Sequence, residues 1–420
     1  MNDDPLSPRH IAVIGAGIVG VSTALWLQRD GHAVTLIDRL APGEGASHGN
    51  GGVLATCAMV PVTGPGLLRK APGMLLDRNQ PLFLKWRYLP KLLPWLRKYL
   101  SHANEADTRR ISQAIGGVVA DSLEEHQALA RGTPAEQWIV PSDYLYVYRD
   151  RAAFEADALA WDIRKSHGIA WDELEDGDLR QYDSVFAENQ RFGVRLGGHG
   201  RISDPGKYVK ALAAHVESKG GNIRRGTVTG FDRDGDVLTG VRTGGETIAC
   251  DAAVLATGAW SGPLARALGL KVPLESERGY HLELWEPSLM PRAPVMIASG
   301  KFVATPMEGR LRLAGIVELG GLHAPLSRAP FELLRSAAKA AMPGLTWSSE
   351  TEWMGHRPAP ADSIPVLGAV PGLSGAYTAF GHHHIGLTSG PKTGRLLAQL
   401  ISGRTPNLDL GAYSPARFAT

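Results

Sequence analysis

The stretch His10-Ile11-Ala12-Val13-Ile14-Gly15-Ala16-Gly17-Ile18-Val19-Gly20, read together with Asp38, decides the fold. A short apolar run ends directly in Gly15-x-Gly17-x-x-Gly20. A helix-like segment follows to about Asp30, and a second apolar run, Ala33-Val34-Thr35-Leu36-Ile37, delivers the acid. Gly15 permits the tight strand-to-helix turn, Gly17 lets a pyrophosphate approach the backbone, and Gly20 lets helix and strand pack closely. The helix start offers free N–H groups and a positive dipole end to phosphates. An acid about twenty residues on accepts hydrogen bonds from a ribose diol. The order strand, glycines, helix, strand, acid predicts a βαβ dinucleotide site. Taken alone it admits NAD, NADP or FAD, with Asp38 least comfortable beside a 2′-phosphate.

Length and composition frame that site. At 420 residues the chain exceeds what one hydrophobic core serves, which predicts two domains. A net charge of +2 without a Lys/Arg run gives no case for nucleic acid. Two distant cysteines, Cys57 and Cys250, exclude a disulfide scaffold and fit a reducing compartment. The first residues, Met1-Asn2-Asp3-Asp4-Pro5, carry acids where a secretory leader carries positive charge, and no apolar run is long enough to span a bilayer. The expected location is cytoplasmic, with the inner face of the membrane as an alternative. The segment from Lys85 to Leu100 is basic, aromatic and apolar; it suits a membrane surface. Pro90 and Pro94 are expected to interrupt a continuous amphipathic helix there, and internal packing is the preferred reading.

Further elements follow from periodicity. Residues 105–131 and 154–166 read as helical, Tyr144–Tyr148 as a strand, and Pro205 to Val216 as a helix stopped by Gly220-Gly221. Thr227–Asp232 and Val237–Thr243 read as strands, Ile248 to Ala256 as one further buried strand, and Thr393 to Ile401 as a terminal helix. Nucleotide-type elements sit at the start, middle and end. The expected organisation is one discontinuous nucleotide domain (1–60, 195–270, 345–420) with a substrate domain (61–194, 271–344) inserted.

Three further motifs carry chemistry. Val254-Leu255-Ala256-Thr257-Gly258-Ala259-Trp260-Ser261 is a buried strand running into a small-residue turn that lets the chain pass close to a bulky cofactor. The loop Gly45-Ala46-Ser47-His48-Gly49-Asn50-Gly51-Gly52-Val53 offers backbone N–H groups and the Ser47 and Asn50 side chains to phosphate or a heteroaromatic ring; the alternative is a flexible linker. The block from Gly355-His356-Arg357-Pro358 to Gly381-His382-His383-His384-Ile385-Gly386-Leu387-Thr388 leads into the last helix. A helix start at Gly386-Leu387-Thr388 aimed at a flavin stabilises the negative charge of its reduced form. Neighbouring histidines point in divergent directions and have no carboxylate or cysteine at ligand spacing, so no metal site is expected.

These residues resemble the FAD-dependent D-amino acid oxidase superfamily. They are Gly15 to Gly20, Ala256 to Trp260, Glu277-Arg278-Gly279-Tyr280-His281, Arg357-Pro358 with Asp362 and Pro365, and Gly381-His382 through Thr388. The chain is most similar to bacterial D-amino acid dehydrogenases, including the D-hydroxyproline branch. The likeness runs from about residue 9 to 402, specific at both ends and general over 60–195. It implies an α/β fold: a Rossmann-like, GR2-type FAD domain with an inserted mixed β-sheet and helices. It implies FAD as cofactor, held by the motif residues together with Arg39, Val228 and the Gly381 to Thr388 turn. It implies oxidative deamination of a D-amino acid or cyclic imino acid, by hydride transfer from the α-carbon to flavin N5.

Arg357 falls on the position whose guanidinium pairs with the substrate carboxylate; its alternative is an ion pair with Asp362. Tyr280 is a second candidate, donating its hydroxyl to substrate or closing the pocket, or else a core tyrosine. His384 is placed over the flavin. Some relatives tether flavin through a histidine in the loop holding His48, but Ser47-x-Gly49-Asn50 fits that pattern poorly, so non-covalent FAD is expected. The expected partners are a small amino acid and an electron acceptor, a quinone among the options. Alternatives are a glycine/sarcosine-type amine oxidase using oxygen, and a flavoprotein subunit inactive without a partner chain.

Overall fold

The computed structural model describes residues 7–67, 73 and 81–419. The leader reading at residues 1–5, and part of the proline-broken stretch after Pro61, lie outside them. Three sheets organise the chain. The first has six strands in the order Val366–Ala369, Ala376–Phe380, Ala252–Leu255, His10–Ile14, Ala33–Asp38, Asn222–Arg225. All neighbours are parallel except the Val366–Ala369 edge pair. Its central strand, His10–Ile14, is fed by the most distant parts of the chain, because a parallel sheet needs crossovers and here the crossovers are whole insertions. Helices Ile18–Arg29 and Gly386–Ile401 cover one face. Their contact is close because Gly394 brings that backbone against Ser22: a Cβ there would stand 2.6 Å from the Ser22 carbonyl carbon.

The second sheet is a three-stranded antiparallel meander (Val228–Asp234, Val237–Thr243, Thr247–Ala249). The third has ten strands. Its main path runs Ser349–Pro360, Leu274–Trp285, Arg310–Leu319, Phe302–Met307, Val295–Ile297, Ile139–Tyr148, Phe192–Ile202, Val53–Leu54. Strand Ser349–Pro360 pairs along its whole length with Leu274–Trp285, although it lies in the 345–420 segment. One face of this sheet is packed by helix Ala329–Ala341 through Phe331, Leu334 and Ala338.

Several expected elements differ in extent. Ile248 to Ala256 is two strands in two sheets, parted at Cys250-Asp251, where Asp251 turns the chain by accepting the His10 N–H (2.7 Å). Residues 105–131 form two helices, Glu105–Val119 and Ser122–Ala130, and residues 154–166 likewise divide, into Arg151–Glu155 and Ala158–Ser166. The last helix begins at Gly386, seven residues before the expected Thr393, and runs through Pro391. Pro94 likewise does not interrupt its helix: Leu89–Ser101 is continuous. Proline removes one hydrogen bond there, and burial of Leu92, Trp95 and Tyr99 against Leu319, Ala359 and Ala361 offsets it, as the internal-packing reading expects. Among the described residues no helix is long and apolar enough to cross a membrane.

Candidate active site

A cavity of about 1070 Å³ lies between the six-stranded and ten-stranded sheets, larger than the range of roughly 300–1,000 Å³ usual for small-ligand sites. Two helix starts open into it: Gly17, Ile18 and Val19 from one, Gly386, Leu387 and Thr388 from the other. Neither is capped by the side chain of its own N-cap residue or holds an acid in its first turn; the one side-chain acceptor at the first is the neutral Ser47 hydroxyl, on the Ile18 N–H. Helix Glu105–Val119, by contrast, carries Asn104 as cap with Glu105 and Asp107 in its first turn. Two acid-free N-termini on one cavity keep their positive ends for an anionic ligand. The glycines that shape the first are sterically required. Gly15 has φ +109° and a Cβ there would lie 2.3 Å from the Ala256 carbonyl oxygen; at Gly20 it would lie 1.8 Å from that of Gly15. Gly15 and Gly20 themselves do not line the cavity; they build the turn that exposes Gly17. These features fit a dinucleotide with its pyrophosphate over Gly17.

Asp38, at the end of its strand, accepts the Ala16 N–H (2.7 Å) on one oxygen and the Leu40 N–H (2.9 Å) on the other. It fixes the glycine turn and still lines the cavity with lone pairs to spare. Arg39 stacks on Trp260, its guanidinium carbon 4.0 Å from the ring centroid. Val228, Thr257 and Gly258 complete this wall. Ser47 accepts the Ile18 N–H (2.9 Å), leaving its own hydroxyl hydrogen for a ligand, and Asn50 accepts the Gly52 N–H (2.9 Å) to close the loop. Ser47, Asn50, Gly51 and Val53 line the cavity; His48 and Gly52 do not. The His48 ring turns to the far side of the loop, against Gly206, with Trp353 at 6.0 Å. Gly52 packs on Met307.

At the other end Arg357 reaches across Leu274–Trp285, lying over Gly279, and donates to the Ile316 carbonyl (3.2 Å). Among the described residues it has no carboxylate at ion-pair distance. Asp362, its proposed partner, is instead held by Arg417 (2.8 Å), so the ion-pair alternative fails. Glu277 is buried beside it. Burial alone would raise that carboxyl, but His383 and then Arg357 outweigh it and hold it below its ordinary value. His383 Nε2 stands 3.0 Å from Glu277 Oε1, though out of line for a hydrogen bond. Its Nδ1 is 2.9 Å from Nδ1 of His384. His383 holds a left-handed backbone (φ +51°), a strain that recurs at functional sites. Burial lowers His384 to about 3, so it is neutral at physiological pH. Ile385 joins the lining, while Gly381 (φ +83°) packs on Pro360 behind it.

Tyr280 touches the cavity, but its hydroxyl is spent. It donates to Glu318 (2.7 Å) and accepts the Ser327 N–H (3.1 Å) inside the core of the large sheet. The core reading holds, and hydroxyl donation to a ligand is corrected. Sequence reading passed over four contributors. Glu277 lay within a quoted motif without a role. Arg164 and Tyr146 line the cavity from the weakly patterned region. Arg312 supports the glycine loop from beneath, donating to the His48 carbonyl (3.0 Å) while paired with Glu283 (2.6 Å).

The sequence model of the FAD dependent oxidoreductase family matches residues 10–400. The chain is 40% identical over 417 residues to a D-amino-acid oxidase of Bradyrhizobium diazoefficiens, covering 98% of this chain and 99% of that protein. It is 31% identical over 420 residues to a D-amino acid dehydrogenase of Xanthobacter autotrophicus, covering 98% and 99%. Among solved structures it resembles glycine oxidase from Geobacillus kaustophilus, with TM-score 0.75 and 22% identity over 98% of this chain and 100% of that one. At that identity the likeness bears on the fold.

Proposed function

The chain belongs to the FAD dependent oxidoreductase family, and from that premise we propose that it oxidises the Cα–N bond of a D-amino acid, or of a cyclic imino acid such as D-proline or hydroxy-D-proline. The observation that carries the substrate side is Arg357, a guanidinium facing the cavity with no carboxylate at ion-pair distance among the described residues, its cross-strand neighbour Glu277 standing 3.0 Å from His383 instead. Such a group suits a carboxylate, which it can bind through two parallel hydrogen bonds. FAD, when bound, supplies the two-electron acceptor for the hydride leaving the α-carbon. The protein's own residues then fix the α-carboxylate and orient the amine. With Glu277 beside His383 Nε2, that nitrogen keeps its hydrogen, His384 Nδ1 donates to His383 Nδ1, and His384 Nε2 is left as an acceptor. With that imidazole lowered to about 3, the nitrogen is too weak a base to deprotonate an ammonium; it accepts a hydrogen bond from the substrate amine, which reacts as the free base because only the free amine can become an imine. The start of helix Gly386–Ile401 favours the negative charge that accumulates in front of it. The imino acid hydrolyses to a keto acid and ammonia, and a cyclic imine persists when the nitrogen lies in a ring.

The test is anaerobic mixing of the purified yellow protein with a panel of D-amino acids and D-proline derivatives while the flavin absorbance is followed. Bleaching by at least one D-substrate and by no L-enantiomer is expected; a panel that never bleaches it refutes the proposal. Arg357→Ala should keep its flavin yet show KM raised by about 100-fold, since truncating one partner of a buried charge pair costs roughly 2–5 kcal/mol. An unchanged KM removes the carboxylate role.

A further inference from the structure

We propose that the cavity holds a second anion site, built from Arg164 and Tyr146, which takes the distal carboxylate of a dicarboxylic D-amino acid; this rests on, and narrows, the D-amino acid reading above. Arg164, from helix Ala158–Ser166, is 8% exposed and lines the cavity. Its Nε donates to the Cys57 carbonyl (3.3 Å) and its Nη2 to the Tyr146 hydroxyl (3.2 Å). The guanidinium carbon lies 4.4 Å from the Trp161 ring centroid. Three more of its five donors remain.

The other buried arginines show what this interior normally provides. Arg278 pairs with Glu318, and Arg310 and Arg312 pair with Glu283, each at 2.6 Å. Among the described residues Arg164 has no carboxylate at ion-pair distance. Asp157, the acid nearest this end of the cavity, is exposed and accepts the Tyr148 hydroxyl (3.3 Å). A buried charge without a partner is costly, and an arriving carboxylate relieves that cost.

The floor between the two arginines selects the rest of the ligand. Tyr146, Met296, Val303 and Ala314 pair in one row across four neighbouring strands, and all four face the cavity. Arg357 is anchored two residues beyond Ala314, on Ile316. Three strand spacings separate the ends of that row, about 14 Å. Two carboxylates, each paired with a guanidinium, need an apolar linker to bridge such a floor. Methylene groups over Met296, Val303 and Ala314 provide it. The structure therefore points to D-glutamate and its longer homologues ahead of D-aspartate. One internal rival exists: burial pushes the Cys57 thiol up, but His199, Arg164 and Tyr146 hold it below its ordinary value, so a Cys57 thiolate could serve as the counter-charge.

The experiment measures anaerobic flavin reduction of the full-length holoenzyme by D-alanine, D-glutamine, D-glutamate and D-2-aminoadipate. D-glutamate and D-glutamine differ only in the distal charge. Their kcat/KM ratio should exceed about tenfold in the unaltered protein, as expected of a charge pair held away from water. Arg164→Gln should bring the ratio close to one with D-glutamine little changed, Arg164→Lys should keep part of it, and Cys57→Ala should leave it intact. A ratio near one in the unaltered protein overturns the proposal, and this comparison stands even where an Arg164 variant fails to fold. Equal losses for D-alanine and D-glutamate in Arg164→Gln overturn it too. Collapse of the ratio in Cys57→Ala as well as in Arg164→Gln would assign the effect to the thiolate. If D-alanine and D-glutamine reduce the flavin without preference for the acid, or if none of the four reduces it while a D-proline derivative does, this inference falls and the reading above stands; if the whole panel, D-proline derivatives included, leaves the flavin oxidised, both fall.

Discussion

Replacing Gly279 by alanine should disable the carboxylate clamp without touching Arg357 itself. Gly279 faces Gly355 across the strand pair, and the Arg357 side chain crosses directly above it. An added Cβ would stand 2.6 Å from Arg357 Cζ, 2.7 Å from Nη2 and 2.9 Å from Nε. Nonbonded carbons settle at about 3.5–4.0 Å, so the guanidinium must withdraw by roughly 1 Å. The contact is with the far end of a flexible side chain, and Gly279 does not occupy the left-handed region. Strand, fold and flavin content should therefore be preserved. A misplacement of that size can cost about 100-fold in kcat/KM, equivalent to about 2.7 kcal/mol. The assay is anaerobic flavin reduction over a substrate series, with thermal unfolding and flavin-to-protein absorbance as controls. The loss should fall mainly on KM, because the clamp grips ground state and transition state alike. A folded, fully flavinated Gly279→Ala protein with unaltered kcat/KM would show that the substrate carboxylate does not sit where Arg357 lies.

Tyr280→Phe should lose about 1–3 kcal/mol of stability, because the Ser327 N–H and one Glu318 oxygen lose a buried partner, with kcat/KM unchanged; the reverse pattern in urea unfolding and kinetics restores a role in turnover. Acid should weaken the fold well above the carboxylate range. Burial lowers His126 to about 4 and His382 to about 3 from an ordinary 6.5. The unfolded chain binds protons below about pH 6.5 while these two resist, so stability is full above that pH and is lost as pH falls toward 4 and then 3. His126 alone accounts for up to about 3 kcal/mol, and urea midpoints that stay level from pH 7 to pH 5 on the scale of these ordinary values contradict it. Acid precipitation should release the flavin into the supernatant, since His48 turns away from the cavity; colour retained in the pellet means a covalent link.

What the sequence makes legible is what chemistry forces locally. The Gly15 turn admits no side chain because Ala256 closes over it, and that requirement is written in the residues themselves. The boundaries that differ were set by tertiary contacts. Pro94 reads as a break and the last helix reads only from Thr393, yet Pro94 and Pro391 each sit in a helix whose packed face outweighs one lost hydrogen bond. Ile248 to Ala256 is apolar but for Asp251, and the pairing of that one acid with the His10 N–H divides the run between two sheets. Tyr280 was ambiguous because a hydroxyl's partner lies elsewhere in the chain, here Glu318. Arg164 was invisible for a related reason. An arginine becomes informative only when its neighbours are known to contain no acid.

The same logic explains why Arg357 is available at all. Glu277 is its direct cross-strand partner on the same face, a position where opposite charges ordinarily pair. Such a pair would neutralise the guanidinium and make substrate compete with an internal acid. His383 prevents this by standing 3.0 Å from Glu277, and its left-handed backbone is the strain accepted for reaching that place. Asp362 is held by Arg417, which also donates to the Ile364 carbonyl (2.7 Å). Phosphate recognition at the other end needs no such arrangement. There the positive charge is partial, the dipole end of helix Ile18–Arg29, and its first turn holds no acid that could be drawn onto it. A full charge held ready for a substrate has to be protected from its own protein, whereas a helix dipole does not.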